Sequence, residues 1–241
     1  MKILVKFPTR SRPARFFRSL ASVFDNAYDP DNIFVLVTAD TDDQTMNNDA
    51  VKRELMQYYN RNICLIYGQS KSKVDAINRD MDKVAKDFPA ASDWNILVVL
   101  SDDMRMTAMG WDEIIRVEMQ RNFPQGDGYL HFEEKDTKAA LNVMEIMDRR
   151  FYDRFGFIYH PSYKSLFCDN EKMELAKMFG RYVYINFQIF VHENPAYGYL
   201  PRDEMFNEQQ NLWGEDEENY RIRKAMKFEA HKWTLKDDAH D

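Results

Sequence analysis

The chain has 241 residues and carries 40 acidic against 33 basic side chains, a formal net charge of −7. That length fits one large domain, or one domain with a small appendage, and 44% hydrophobic residues are ample for a real core. The acidic balance argues against a general nucleic-acid binder, which needs a positive footprint for phosphates, and the two cysteines, Cys64 and Cys168, form no metal-ligand pattern.

In chain order, residues 3–7 read as a first strand stopped by Pro8. Residues 15–24 follow as a helix, with Phe16, Phe17, Leu20 and Val23 in a near-continuous apolar stripe. A second strand at 33–37, a polar loop at 40–49 and a helix at 50–59 come next. A third strand at 63–67 ends at Gly68, a helix covers 73–88, and a fourth, wholly apolar strand covers 96–100. This βαβαβαβ order predicts a doubly wound α/β sheet with right-handed crossovers. Past Asp103 the rhythm changes. Trp111, Ile114, Ile115 and Met119 mark a helix, residues 129–132 a short strand, and 133–138 a solvated loop, while 143–147 is apolar but ambiguous. Residues 149–155 and 169–179 read as helices, the latter capped by Gly180. Residues 182–191 read as one strand running into His192, and a charged tail from Arg202 holds a further helix near 220–228. The start of the chain is too quickly charged for a signal peptide, and no stretch approaches the ~18 apolar residues of a membrane span, so a soluble cytoplasmic protein is expected.

Chemistry concentrates at the end of the fourth strand, where Ser101-Asp102-Asp103 follows the apolar run. The carboxyl end of a parallel strand is where such sheets hold ligands. Adjacent carboxylates repel unless something positive shares them, and a divalent metal suits that purpose, although two acids in a solvated loop would look the same in sequence. Asp103 is the expected metal ligand and Asp102 the expected contact to a donor ribose or sugar. His192 is either a surface histidine or a further ligand, since neutral imidazole coordinates Mn²⁺; Glu193 beside it either orients it or faces water. Asp169 sits at a helix start, a position the helix dipole favours for acids. There it is also placed to take a proton from a hydroxyl nucleophile. The loop Pro8-Thr9-Arg10-Ser11-Arg12-Pro13 offers hydroxyls and guanidinium groups for phosphate contact. In the segment from Gly68 to Asn78, Lys71 or Lys73 pairs with a phosphate or with nearby acids, or the stretch is a plain helix start. No Gly-rich dinucleotide or P-loop fingerprint is present, which disfavours nicotinamide dehydrogenases and P-loop enzymes.

Together these segments resemble the inverting, GT-A-type glycosyltransferases of the large family 2-like group, over roughly residues 1–200. The resemblance implies an α/β, Rossmann-like nucleotide-diphospho-sugar transferase fold with a mostly parallel central sheet flanked by helices. It implies a donor half at about 1–104 and an acceptor half at about 105–200. Residues 201–241 are then a charged, partly helical extension packed on the same domain. Members carry a D-x-D motif whose last Asp binds Mn²⁺ or Mg²⁺ on the diphosphate. That position resembles Asp103, while Ser101 stands where the first acid would be. The catalytic base resembles Asp169, with Cys168 in place of the preceding acid, and the late histidine on the metal resembles His192. Asp40 is the best match for the acid that holds the nucleobase. The implied donor-binding set is Thr9, Arg10, Asp40, Lys73, Asn78 and Asp102. The implied reaction is a single inverting displacement from a nucleoside diphosphate sugar to a glycan or other hydroxyl acceptor, with 160–164 shaping the acceptor side. A nucleotidyltransferase and a non-catalytic sugar- or protein-binding module on the same fold are the competing readings. The first is disfavoured by the glycine-free loop after strand one, and the second is favoured by Ser101 and Cys168.

Overall fold

The computed structural model describes residues 1–58 and 62–235. The first half opens with β1 (Ile3–Thr9), α1 (Pro13–Asp25), β2 (Ile33–Asp40), α2 (Asp49–Met56), β3 (Asn62–Gly68) and α3 (Lys73–Asn78). It continues through α4 (Val84–Asp87) and β4 (Ile96–Val99). The second half contains β5 (Met104–Met106), α5 (Trp111–Asn122), β6 (Tyr129–Phe132), β7 (Ile146–Asp148), α6 (Arg149–Asp153), α7 (Cys168–Met178), β8 (Tyr182–Ile185) and β9 (Phe190–His192). Two helices close the chain, α8 (Glu204–Asn211) and α9 (Trp213–Ala225).

Among the described residues, seven strands form one sheet in the order β3-β2-β1-β4-β7-β6-β8. β1 through β4 are mutually parallel; β7 runs antiparallel to β4 and β6, and β8 is parallel to β6. The carboxyl ends of β1 to β4, β6 and β8 therefore share one edge of the sheet. Strand alternation divides the core between the two faces. Ile3, Val5 and Phe7 pack with Phe16, Leu20, Trp111 and Ile115 on one side, and Leu4 packs with Phe151, Leu175 and Phe228 on the other. Lys6 occupies a position in that alternation and is fully buried. Its ammonium donates to the Thr38 hydroxyl and to the Arg79 carbonyl at 2.7 Å, and burial pushes its pKa down to about 7.

Four elements differ from the sequence expectation. Pro8 does not stop β1, which continues opposite Thr38 to Thr9. β4 partners β1 only as far as Lys6, so beyond that point β1 is an edge on that side and tolerates a residue without an N–H. The helix expected over 50–59 runs from Asp49 to Met56, started by the Asn48 side chain accepting from Val51 N; Tyr59 lies outside the described residues. The helix expected over 73–88 breaks after Asn78, where Arg79 is extended and Asp80 is left-handed at φ 73°. Tertiary bonds impose the break: the buried Asp80 carboxylate accepts from Thr38 (3.0 Å) and the Arg79 carbonyl accepts from Lys6 (2.7 Å). The single strand expected over 182–191 is two, β8 in the main sheet and β9 in a two-stranded sheet with β5.

The C-terminal helices are tied in by buried charge. Asp216 of α9 accepts from the backbone N–H groups of Lys164, Ser165 and Leu166 at 2.8–2.9 Å. Arg223 grips Glu171 of α7 with two bonds of 2.7 Å, and the Tyr163 hydroxyl donates to the same carboxylate. Among the described residues, no helix is long and apolar enough to cross a membrane.

His131 on β6 is fully buried. Its Nδ1 lies 2.8 Å from the Tyr182 hydroxyl, its Nε2 has no hydrogen-bond partner among the described residues, and burial pushes its pKa down to about 4. The unfolded chain takes up this proton near pH 6.5 and the folded chain near 4, so between those values the unfolded state holds more protons and stability falls as pH falls. His131 is expected to account for a loss of up to about 3 kcal/mol across that window. Urea unfolding at pH 7 and pH 4 should show a smaller acid loss in His131→Gln than in the unmodified chain.

Candidate active site

The shared carboxyl edge opens into a cleft of about 350 Å³, at the small end of the roughly 300–1,000 Å³ typical of ligand pockets. Its lining includes Thr9, Arg10, Asp40, Lys73, Asp102 and Asp103, all singled out in the sequence. After β4 the chain turns tightly, with Met104 N donating to the Ser101 carbonyl at 3.1 Å. Consecutive side chains on that turn diverge. Asp102 points to Arg12 (Oδ1 to Nη1, 3.1 Å), and Asp103 points to His192 (Oδ2 to Nε2, 3.4 Å) and accepts from the Ser101 hydroxyl.

The approach of His192 to Asp103 follows from the pairing of β5 with β9, which sets Met104 opposite His192. Glu193 N then donates to the Asp103 carbonyl at 2.7 Å. The Glu193 carboxylate is held by Arg18 and by Arg105 (2.9 Å), so it anchors the strand end rather than turning toward His192. The two adjacent acids have opposite electrostatics. Burial pushes the Asp102 carboxyl up to about 6 against the opposing pull of Arg12. Burial also acts on Asp103, but the bonds from His192 and Ser101 outweigh it and hold that carboxyl well below the usual carboxylate range.

At the other end of the cleft, Asp40 accepts from Ser70 Oγ (2.6 Å) and from Arg10 (2.9 Å), and Arg10 also chelates Asp42. Gly68 closes β3 beside them. A Cβ there would overlap the Arg79 guanidinium, which donates to the Ala39 carbonyl at 2.8 Å and stands 3.8 Å from Asp40. Lys71 and Lys73 are exposed on the cleft wall and carry no ion pair among the described residues. Asp169 lies in the first turn of α7, partly buried. Burial raises its pKa, opposed by its bond from Asn170 N and by the positive field of Lys73 and His192. The base candidate, the free lysine and the Asp103–His192 pair therefore feel one another's charge.

Asn78 is not brought into this set. Its amide donates to the Tyr159 carbonyl (2.7 Å) and its carbonyl accepts from Ile158 N and Tyr159 N (2.9 and 3.0 Å). Every polar atom of the side chain is spent on pinning that loop. The aromatic part of 160–164 is also committed: Tyr163 is buried on Glu171. The sequence reading missed Ser70, the double role of Arg12, and the α8 residues Met205, Glu208 and Gln209 that close one side of the cleft. Arg12 binds Asp203 at 2.6–2.7 Å across 191 positions, a pairing with no local signal. In α8, only the i, i+3, i+4 spacing of 205, 208 and 209 hints at a common face.

Among the described residues, no group of three or more His, Cys, Asp or Glu side chains is arranged to hold a metal ion. Asp103 and His192 form a two-donor set. Mg²⁺ typically takes one or two protein carboxylates and completes its shell with phosphate and water, and Mn²⁺ accepts imidazole as well. The pair therefore fits an ion that arrives with a diphosphate.

This topology is the fold of the GT-A glycosyltransferases. The mannosyltransferase PcManGT from Pyrobaculum calidifontis, solved with GDP-Man and Mn²⁺, superposes with a TM-score of 0.64 at 16% identity, covering 82% of this chain and 58% of that one. S. aureus TarS 1–349 gives a TM-score of 0.60 at 11% identity, covering 80% and 60% of the two chains. Its complex with UDP-GlcNAc gives 0.59 at 11% identity, covering 88% and 65%. The chain thus spans about three-fifths of these structures. No protein-family model and no curated protein matches it.

Asn78→Ala is expected to cost about 2–3 kcal/mol, because it frees buried partners on the 158–159 loop. Denaturant unfolding should show that loss, and affinity for any nucleotide held in the cleft should stay within about twofold, the sign of a structural asparagine.

Proposed function

We propose that this chain is a metal-dependent glycosyltransferase that moves a sugar from a nucleoside diphosphate sugar to an acceptor hydroxyl, with inversion. The observation that carries this reading is the convergence of Asp103 and His192 at 3.4 Å, with Asp103 on the wall of a cleft that also offers two lysines without an ion pair among the described residues. The neighbouring Asp102 is instead turned to an ion pair with Arg12. In this reading Asp103 and His192 hold Mn²⁺ or Mg²⁺, which when bound offsets the charge of the departing diphosphate. Lys71 and Lys73 face the phosphate oxygens as mobile point charges. Asp40, braced by Ser70 and Arg10, borders the nucleobase end with Thr9. Asp102, turned away from Asp103, serves the ribose or sugar.

Asp169 takes the proton from the acceptor hydroxyl. Its raised pKa makes it a stronger base than an exposed aspartate, while Lys73 and His192 keep the carboxylate form available. A single displacement with one base inverts the anomeric centre. Cys168 is buried with its thiol toward the Ser165 carbonyl at 3.8 Å. In the family pattern an acid stands at this position; here the residue packs the helix start and leaves the base work to Asp169 alone.

Titration calorimetry with UDP and GDP, each with and without Mn²⁺, tests the binding half of this reading. Binding should require the metal, and Asp103→Asn or His192→Ala should weaken it at least about tenfold, in line with loss of a metal ligand. Metal-independent binding, or none, overturns the proposal. Asp169→Asn should lower turnover by about 100-fold or more while leaving nucleotide affinity within about twofold. Full turnover in that variant would remove Asp169 as the base.

A further inference from the structure

One face of α8 forms a wall of the cleft. Met205, Glu208, Gln209 and, just past the helix end, Leu212 all line it; their i, i+3, i+4, i+7 spacing places them in one stripe. Asp203 starts the helix by accepting from Phe206 N at 2.9 Å and is itself clamped by Arg12. Arg12 holds Asp102 with its other arm, so the amino end of α8 is fixed beside the Asp102–Asp103 turn. The carboxyl end is fixed through α9, whose Asp216 binds the backbone of 164–166 just before α7. Ser165 and Leu212 line the same cleft. The helix therefore bridges the interval from the Asp102–Asp103 turn to the loop that leads into the helix bearing Asp169.

In a displacement, the reacting sugar lies in that interval, between the diphosphate at Asp103 and the base at Asp169. Among the described residues, Glu208 and Gln209 spend their side chains on no hydrogen bond or ion pair. A carboxylate and an amide are the side chains best equipped to take paired sugar hydroxyls, one as acceptor and the other as both donor and acceptor. Glu208 also sets a sign. The guanidinium of Arg12 is already shared by Asp102 and Asp203, and that of Arg10 by Asp40 and Asp42. Lys71 and Lys73 are left for the diphosphate. Among the described residues that line the cleft, no further cation stands beside α8 to balance a carboxylate on the sugar.

We propose that α8 forms the sugar subsite of the donor cleft, with Glu208 and Gln209 reading the hydroxyls of a neutral hexose. This rests on the nucleotide-sugar reading above. It selects against uronic and other acidic sugars through the charge of Glu208.

Calorimetry in Mn²⁺ with whichever of UDP or GDP binds, and with the same nucleotide carrying glucose, galactose, mannose or glucuronic acid, separates the two claims. Glu208→Gln and Gln209→Ala should each weaken the best neutral sugar nucleotide about fivefold to tenfold. The bare diphosphate should bind within about twofold of the unmodified chain, which also reports that the variants are folded. The glucuronate form should bind the unmodified chain more weakly than the neutral one, and Glu208→Gln should narrow that gap. Unchanged affinity for the neutral sugar nucleotide, or an equal loss for the bare diphosphate, overturns the sugar subsite while leaving the donor reading intact. If neither diphosphate binds the unmodified chain, the donor reading falls and the subsite with it.

Discussion

The short antiparallel pairing of β5 with β9 is the constraint on which the site depends. It involves only Met104 to Met106 against Phe190 to His192, yet it brings a histidine from late in the chain against the carboxylate that ends the fourth strand. The pairing is buttressed on both sides. Phe190, Met104 and Met106 are buried in the core face with α1, and Arg18 and Arg105 fasten Glu193 just beyond the strand. With the backbone fixed this way, the Asp103 and His192 side chains are held facing each other across the two strands.

Around that pairing the site is organised by sharing of charge. Arg12 is divided between Asp102 and Asp203, and Arg10 between Asp40 and Asp42. Each arginine is shared by two acids, so among the described residues the charged groups on the wall of the cleft without an ion partner are Lys71, Lys73 and Glu208. The cleft keeps its unpaired positive charge on flexible lysines and fixes its guanidinium groups, which is the arrangement the proposed diphosphate contact draws on. The same Arg12 makes the C-terminal extension part of the site, because Asp203 belongs to the segment that starts α8.

Legibility in the sequence followed the range of the interactions involved. The first four strands were readable because each is a nearly continuous apolar run, the pattern of a parallel sheet covered by helices, although β3 at the sheet edge is only half-buried. Asp102 and Asp103 were readable because they stand where such a run ends. Asn78 misled because its position on a helix near the sheet edge fits a ligand contact, whereas its amide is consumed by Ile158 and Tyr159, some eighty positions away. The break at Arg79 and Asp80 was hidden for the same reason. The local pattern of 73–88 is helical, and the bonds that break it come from Lys6, Thr38 and Ala39 on other strands. Residues 182–191 look like one strand because period and composition do not reveal that the two ends pair with different partners.

By itself the sequence determined the alternation of strands and helices in the first half, the placement of paired acids at a strand's carboxyl end, and the chemical types available there. Burial periodicity and end-of-strand position are local properties, so they are written in the order of residues. The tertiary structure alone decided which carboxylate faces the histidine and which faces an arginine. It also decided that Asn78 braces a loop instead of the cleft, and that a helix from the charged tail walls the site. These outcomes depend on strand register and on ion pairs between distant segments, which exist only once the sheet has formed and its edges have found their partners.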